Sequence, residues 1–575
     1  MRELAGISAS RGIAIGPAFQ FRQPSMVCER CVIQDPAAEW ARFEAAVAAA
    51  RQQLSAVSAR ALAEAGTSLA VIFQAQALML EDPELLERVR EAIEGERINA
   101  ESALLEAVEL YAAMLEALED EHLRARAADV RDVANRVLRV LMGVRDAHLA
   151  QPTEPYVLLA RDLAPSDTVM LDRSRVLGLC TAEGGAITHT AILARSLGLP
   201  AVMGVGKGVL DVHDGTPVVL DGGGGRLVVD PDPGTVARYQ QWREAAKSVL
   251  LQAQERAHQP AVTRDHHRVD VLANIGSVEA VHAALEAGAE GVGLLRTEFL
   301  YLERAALPDE EQQYQAYRAI LDACGASPVV LRTLDIGGDK ALPHLPLRHE
   351  DNPALGVRAI RLCLAHPELF RPQLRAALRA GVGRRLRLMF PMVATRTELR
   401  AARAFLRTCC EELEAEGERL PEPLEVGIMV EVPAAAIMAD RLACEVDFLS
   451  IGTNDLCQYT MAADRANAAV ASLASGFQPA VLRLVRDVVS AAHRCGKRAT
   501  LCGELAGEPL AVPLLLGLGL DELSMNPPAI PVVKEVIRGL VLSEARDLAC
   551  AALELDTPDE VQALVRAQVP MADLG

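Results

Sequence analysis

The 575-residue sequence predicts a multidomain α/β protein: a strand-rich α/β domain with an inserted α-helical bundle, followed by a C-terminal (β/α)8 TIM barrel. Three observations carry that expectation. The chain is too long for a single core at roughly 100 to 200 residues per domain. A long Ala-, Leu-, Glu- and Arg-rich stretch from about Pro36 separates two strand-like regions. Beyond Pro260, short apolar runs alternate with amphipathic segments, the pattern of strands feeding helices.

Taken in order, Ile7 to Ala18, with Gly12 and Gly16, reads as a β-like start. AEWARFEAAVAAARQQL and DVRDVANRVLRVLMGV carry apolar residues at three- and four-residue spacing, which predicts a small bundle running to about Gly143. From Tyr156 the runs YVLLA, RVLGLC, TPVVLD and GRLVVDPDPG are broken by Gly and Pro, as in a compact strand-rich domain with one helix after His189. Pairing Ile7 to Ala18 with that later domain makes the bundle an insertion. Pro231 and Pro233 close the domain, and Thr235 to Ala257 reads as a connecting helix. The expected divisions are 1–33 and 146–234 for the split domain, 34–145 for the bundle, 235–259 for the linker and 260–575 for the barrel.

The barrel expectation rests on VLANI (271–275), GVGLL (291–295), VVLRTL (329–334), LRLMFPM (386–392), VGIMVE (426–431), DFLSIG (447–452), ATLCG (499–503) and DELSM (521–525). Eight buried-looking strands separated by helices suit a closed barrel. An open doubly wound sheet also alternates strands and helices, but more often with about five or six strands.

Composition narrows the functional classes. Lys and Arg number 58 against 78 Asp and Glu, a formal charge of −20 without a basic block, which argues against nucleic acid as a partner. No apolar run approaches the roughly 18 residues of a membrane span. Twelve scattered cysteines and an N-terminus, MRELAGISASRGIAIG, without a basic-then-apolar leader point to a reducing, cytoplasmic location. Cys28 and Cys31 form a C-x-x-C with no second pair or His cluster behind it, so an accidental spacing is preferred to zinc or a redox pair.

The chemistry concentrates where the barrel runs end. GVGLL closes on Arg296-Thr297-Glu298, VVLRTL contains Arg332 and leads through Asp335 to Lys340, and VGIMV closes on Glu431. DFLSIG closes on Thr453-Asn454-Asp455, with Arg465 following, and ATL closes on Cys502-Gly503-Glu504. A buried guanidinium must be paired, and a planar multidentate anion at the C-terminal barrel face would pair several. Arg296, Arg332 and Arg465 offer forked hydrogen bonds to phosphate and carboxylate oxygens, while Glu431 and Asp455 are hard oxygen ligands suited to Mg²⁺. For any one of these residues, a rim salt bridge explains the position equally well.

His189 sits in Glu183-Gly184-Gly185-Ala186-Ile187-Thr188-His189-Thr190-Ala191, a glycine turn followed by a helix start. Helix N–H groups and the dipole would stabilise a dianionic phosphoryl group there, and neutral imidazole is a nucleophile near pH 7. A buried capping histidine fits the local sequence as well.

Asp447 to Arg465, DFLSIGTNDLCQYTMAADR, resembles the barrel signature of the Enzyme I family of the phosphoenolpyruvate-dependent sugar phosphotransferase system. GLLRTEFL, LRTLDIGGDK, NPALGVRAIR, FPMV, MVEVPAA and CGELAG are similar to family blocks in the same order, and ERVREA and RAADVRD resemble the family's carrier-docking helical domain. The likeness covers nearly the whole chain. It implies that phosphoenolpyruvate binds at the barrel mouth, with Mg²⁺ on Glu431 and Asp455. The phosphate would be held by Arg296, Arg332, Arg465 and Asn454, with Lys340 and Arg358 nearby and Asp455 reaching the substrate as a metal ligand. His189 then attacks phosphorus in line, Cys502 protonates the enolate to pyruvate, and the split domain, a swivelling phosphohistidine domain, carries the group to the phosphocarrier protein HPr. The resemblance also implies a homodimer through the barrel, and the 235–257 helix as the swivel.

Four positions depart from the family pattern. Ile187-Thr188 replaces Thr-Ser before the histidine, Gln76 stands where some relatives have His, and Arg11 replaces a Pro in the first strand. The nearest alternative is the pyruvate phosphate dikinase and phosphoenolpyruvate synthase class, which uses ATP. The residues preceding the phosphohistidine domain are bundle-like and hold no Walker loop, which argues against it. A regulatory scaffold would not need an enolate acid. A nitrogen-branch phosphotransferase stays open, although its usual sensory domain is absent from the sequence.

Overall fold

A computed structural model describes the chain except for residues 23–27, 66–72, 74–75, 78, 81, 117–120, 144–151, 164–170, 173, 186–187, 189, 192–193, 196–197, 303–305, 338–349, 466, 468–469 and 570–575. The described residues fall into two units, 1–244 and 245–574.

In the first unit, the opening strands β1 (Arg2–Ala5), β2 (Ile7–Ser10) and β3 (Ile13–Phe21) join β4 (Tyr156–Ala160), β5 (Val176–Thr181), β6 (Ala201–Met203), β7 (Pro217–Asp221) and β8 (Arg226–Val229). The sheet order is β1-β8-β7-β3-β4-β5-β6-β2. β3 lies between β7, antiparallel with Ile13 opposite Asp221, and β4, parallel with Ala18 opposite Val157. The period-two alternation of β4 explains why the sheet is covered on both faces: Tyr156, Leu158 and Ala160 enter one core, and Val157 and Leu159 the other. The start of the chain therefore belongs to the later domain, and the helices between are inserted, as expected. The β-like start is longer than the sequence suggested, because β1 adds an edge against β8.

The insertion contains helices Pro36–Ala65, Pro83–Gly95, Ala100–Glu116 and Glu121–Leu141. Asp82 begins the second of these by accepting the N–H groups of Glu84 and Leu85 at 2.9 and 3.3 Å, with Pro83 at the first helical position. Its Leu85, Val89 and Ile93 then face Phe43, Leu104 and Val137 in one core. Gln76 is 1 % exposed and donates to Asp132 at 3.4 Å. This position therefore serves the bundle interior.

In the second unit, a short β9 (Ala261–Val262) pairs antiparallel with β10 (Arg268–Ile275). The parallel series continues through β11 (Val292–Leu295), β12 (Val329–Arg332), β13 (Leu386–Phe390), β14 (Glu425–Val430), β15 (Phe448–Ile451), β16 (Arg498–Leu501) and β17 (Glu522–Met525). β17 pairs back to β10, and β10 to β11, closing eight parallel strands into a barrel. Each run singled out in the sequence supplies one strand. Leu294, Val330, Met389, Met429, Phe448 and Cys502 form a buried cluster in the lumen, distinct from the larger core between strands and helices. At the N-terminal strand ends, Arg387 pairs with Glu522 at 3.2 Å and Glu425 at 2.6 Å, and Arg498 with Glu522 at 3.1 Å, so inward charges there are matched.

The connecting helix is Pro233–Glu255, shifted by two residues from the expected limits. The segment after it is held by one barrel helix, Ile530–Gly539. Lys534, fully buried, donates to the carbonyls of Ala257 at 3.0 Å and Gly288 at 2.6 Å and pairs with Glu290 at 3.2 Å. Arg538 takes the carbonyls of Arg256 and Gln259 at 2.9 and 2.6 Å. No described helix is long and apolar enough to cross a membrane.

Candidate active site

The C-terminal ends of the barrel strands surround a cavity of about 580 Å³. Arg296, Arg332, Arg358, Glu431, Asn454, Asp455, Arg465 and Cys502 all line it. Residues singled out along more than two hundred positions of sequence thus converge because parallel strands deliver their ends to one face. Lys340 lies outside the described residues, as does His189.

Two of the arginines are tied to carboxylates. Arg332, the last residue of β12, donates through Nη2 to Glu298 at 2.8 Å and lies 3.1 Å from Asp335 through Nη1. Arg358 donates through Nη2 to both oxygens of Asp335 at 3.0 and 3.1 Å, and through Nη1 to Asp455 at 3.4 Å and to the Tyr459 hydroxyl at 3.2 Å. The rim salt-bridge reading therefore holds for Arg332 and Arg358. It does not hold for Arg296 and Arg465, whose exposed guanidiniums line the cavity and carry no ion pair among the described residues. Arg332 Nε is itself buried without a hydrogen-bond partner among the described residues. Burial disfavours the charge on Arg332, but Glu298, Asp335 and Glu431 outweigh it and keep the guanidinium ionised.

Gly337 shows how the Arg358 segment reaches this position. At φ 110° it adopts a conformation that side chains avoid, and a Cβ there would meet Arg358 Cβ at 2.6 Å. The next chain segment thus lies directly on the Asp335 to Gly337 turn. Gly503 does the same for Cys502, since a Cβ would come within 2.6 Å of the Thr453 backbone nitrogen.

Glu431 follows β14 and is 1 % exposed. One of its oxygens accepts the Met392 N–H at 2.7 Å, and Met392 takes a left-handed φ of 56° to present it. Burial, then the charges of Asp455 and Asp335, raise the Glu431 pKa. Glu431 and Asp455 are hard oxygen donors under mutual repulsion in a buried site, a donor set that fits a divalent cation sharing its remaining ligands with a phosphorylated substrate. No group of three or more His, Cys, Asp or Glu among the described residues is arranged to hold a metal alone.

Cys502 lies at the cavity floor. Its sulfur is 3.6 Å from the Ile451 carbonyl, and burial followed by the Glu431 charge pushes its pKa up to about 11. Its own carbonyl accepts Asn274 Nδ2 at 2.9 Å, and Ser524 Oγ donates to Asn274 Oδ1 at 2.6 Å. Asn454 and Glu504 exchange two hydrogen bonds, side chain to side chain at 3.1 Å and Glu504 N–H to Asn454 Oδ1 at 2.9 Å. Sequence reasoning noted Glu298 and Asp335 only as strand-end residues and passed over Asn274 and Met392. Asp335 carried a readable signal, a carboxylate three residues after a strand-end arginine. Asn274 carried none.

Around His189, the described neighbours show Thr188 Oγ1 accepting the Ala191 N–H at 3.4 Å and donating to the Gly185 carbonyl at 2.9 Å. Thr188 Oγ1 thus takes one of the N–H groups at the start of this segment. Thr190 is buried and donates to the Leu163 carbonyl at 2.9 Å.

Comparison with known proteins agrees with this construction along the chain. Residues 251–541 match the PEP-binding domain of PEP-utilising enzymes, residues 5–126 their N-terminal domain, and residues 152–225 their mobile domain. The chain is 47% identical over 571 residues to the phosphoenolpyruvate-protein phosphotransferase of Bacillus sp. (strain S), covering 99% of each, and equally so to that of Geobacillus stearothermophilus. It is 45% identical over 566 residues to that of Bacillus subtilis (strain 168), covering 98% of this chain and 99% of the other. The chain therefore belongs to the phosphoenolpyruvate-protein phosphotransferase family of PEP-utilising enzymes.

Proposed function

We propose that this phosphotransferase takes the phosphoryl group of phosphoenolpyruvate onto His189, releases pyruvate, and passes the group to the histidine of an HPr-type carrier as the first step of sugar uptake. The observation that carries the reading is the cavity in which Arg296, Arg465 and the free Nε of Arg332 face Glu431, Asp455 and Cys502. Phosphoenolpyruvate carries a phosphate and a carboxylate, and the donors that Arg296, Arg465 and Arg332 Nε leave unpaired among the described residues suit both.

Arg296, Arg332 and Arg465, with Asn454, hold the phosphate and balance its charge as it transfers, while Arg358 and Lys340 complete the surround. The family uses a divalent metal, and Mg²⁺ is the ion proposed for Glu431 and Asp455. When bound it would neutralise charge on the phosphate oxygens. Cys502 is held as a thiol by burial, so it has a proton to give the enolate carbon. The Enzyme I resemblance assigns residues 34–145 to carrier docking, 1–33 and 146–234 to the phosphohistidine domain, 235–259 to the linker and 260–575 to substrate binding and homodimer formation in the cytoplasm.

The test is transfer of label from ³²P-phosphoenolpyruvate with Mg²⁺, chased with HPr. Acid-labile label in the parent and none in His189→Ala is the expected result. Equal labelling of the two would remove His189 from the mechanism.

A further inference from the structure

On the barrel face opposite the cavity, two thiols converge on one atom. Cys444 lies in the turn Ala443–Glu445, just before β15, and Cys495 ends the helix Pro479–Arg494, just before β16. Cys444 Sγ donates to the Asp440 carbonyl at 3.5 Å, and Cys495 Sγ reaches the same carbonyl at 3.9 Å. Two sulfurs sharing one acceptor lie on the same side of it, and the Cys495 thiol also makes a hydrogen bond with Cys444. Cys444 is exposed and Cys495 half-buried, whereas Cys502 at the active site is buried. Arg396 and Arg400 pair with Glu445, next to Cys444 in sequence, and Arg494 and Lys497 flank Cys495; the hydrogen bond with Cys444 and burial raise the Cys495 pKa, so the exposed Cys444 is the thiol that meets an oxidant first.

We propose that Cys444 and Cys495 are a reversible oxidation site that closes to an intrachain disulfide under a peroxide. The Cys444 thiolate attacks one peroxide oxygen, the O–O bond breaks, and Cys444 becomes a sulfenic acid as hydroxide leaves and takes up the thiol proton as water. The Cys495 thiol then attacks the Cys444 sulfur, the S–S bond forms and a second water departs. Two thiols lose two electrons and the peroxide gains them. The closed loop contains β15, Asn454, Asp455 and Arg465, so the bond ties together the strand supports beneath half the cavity. By restricting the unfolded chain it makes the barrel harder to unfold. A dithiol reverses it. Soft-metal binding is the poorer reading, because no third ligand joins the pair among the described residues.

The experiment treats the full chain with limiting hydrogen peroxide, alkylates the remaining thiols and maps peptides without reduction. The expected result is a Cys444–Cys495 linked peptide, lost on dithiothreitol, with Cys502 still alkylated after denaturation. The thermal midpoint should rise on oxidation, fall back on reduction, and stay put in Cys444→Ser and Cys495→Ser. Those variants should keep parental phosphotransfer when reduced. Independent alkylation of both residues, chain-to-chain crosslinks, or a bond formed at Cys28 and Cys31 instead would each overturn the proposal, while leaving the phosphotransferase reading intact.

Discussion

Arg358 grips Asp335 through both carboxylate oxygens, at 3.0 and 3.1 Å, and both side chains are largely buried in the cavity wall. Asp335 also lies 3.1 Å from Arg332, so one carboxylate orients two of the guanidiniums facing the cavity. Replacing it with Ala leaves Arg358 with the Tyr459 hydroxyl and the longer contact to Asp455, and removing one partner of a buried pair costs on the order of 3 kcal/mol. Asp335→Ala should lower the unfolding free energy of the barrel by that amount, read as a lower denaturant midpoint, and raise the Kd for phosphoenolpyruvate. A variant that binds as tightly as the parent in calorimetry would show that the two arginines orient themselves.

Cys502 provides a pH test. With its pKa pushed up to about 11, the thiol stays protonated through neutral pH and loses its proton only as the pH approaches that value. Pyruvate formation should therefore show no loss attributable to this group until strongly basic pH. Cys502→Ser should lower turnover by about 100-fold or more while phosphoenolpyruvate binding changes little. Unchanged turnover would take Cys502 out of the acid role.

Glu431 is raised by burial and by Asp455 and Asp335, so its protonated form is favoured in the folded, metal-free protein. The sign follows from linkage: this contribution to stability is present below the ordinary value of 4.5 and is lost as the pH rises through the elevated folded value. Glu431→Gln should flatten that dependence in chelator-treated protein and abolish the stabilisation that the proposed Mg²⁺ site predicts for the parent on adding the ion. Thermal melts with and without chelator across pH report both effects. A Gln variant that still gains stability from Mg²⁺ would move the metal elsewhere.

Lys534 holds the chain just after the connecting helix. Lys534→Met removes the donor from the Ala257 and Gly288 carbonyls and leaves Glu290 without its ammonium partner, at a cost of about 3 kcal/mol. Hydrogen exchange should increase first in residues 256–260. Protection there equal to the parent's would mean that Arg538 alone anchors the segment.

The eight barrel strands were legible because parallel strands buried on both faces appear as uninterrupted apolar runs, and Arg296, Arg332, Glu431, Asp455 and Cys502 were legible because each ends or follows such a run. The lengths were less so. β1 and β9 are short edge additions whose residues carry no alternation strong enough to mark them. The connecting helix ends two residues before the expected limit, where the Ala257 N–H turns back to the Gln254 carbonyl and Lys534 and Arg538, far away in sequence, take the Ala257 and Arg256 carbonyls.

The sequence by itself determined the architecture, the family and the set of polar residues at the barrel mouth, since periodicity and strand-end chemistry are local properties. Only the tertiary structure decided which of those charges are already satisfied. Arg332 and Arg358 are paired, Arg296 and Arg465 carry no ion pair among the described residues, and Asn274 supports Cys502 across 228 positions. The physical reason is barrel closure. It brings ends from distant strands within hydrogen-bond reach in a dry lumen, where the partner of each charge depends on three-dimensional register rather than on neighbours along the chain.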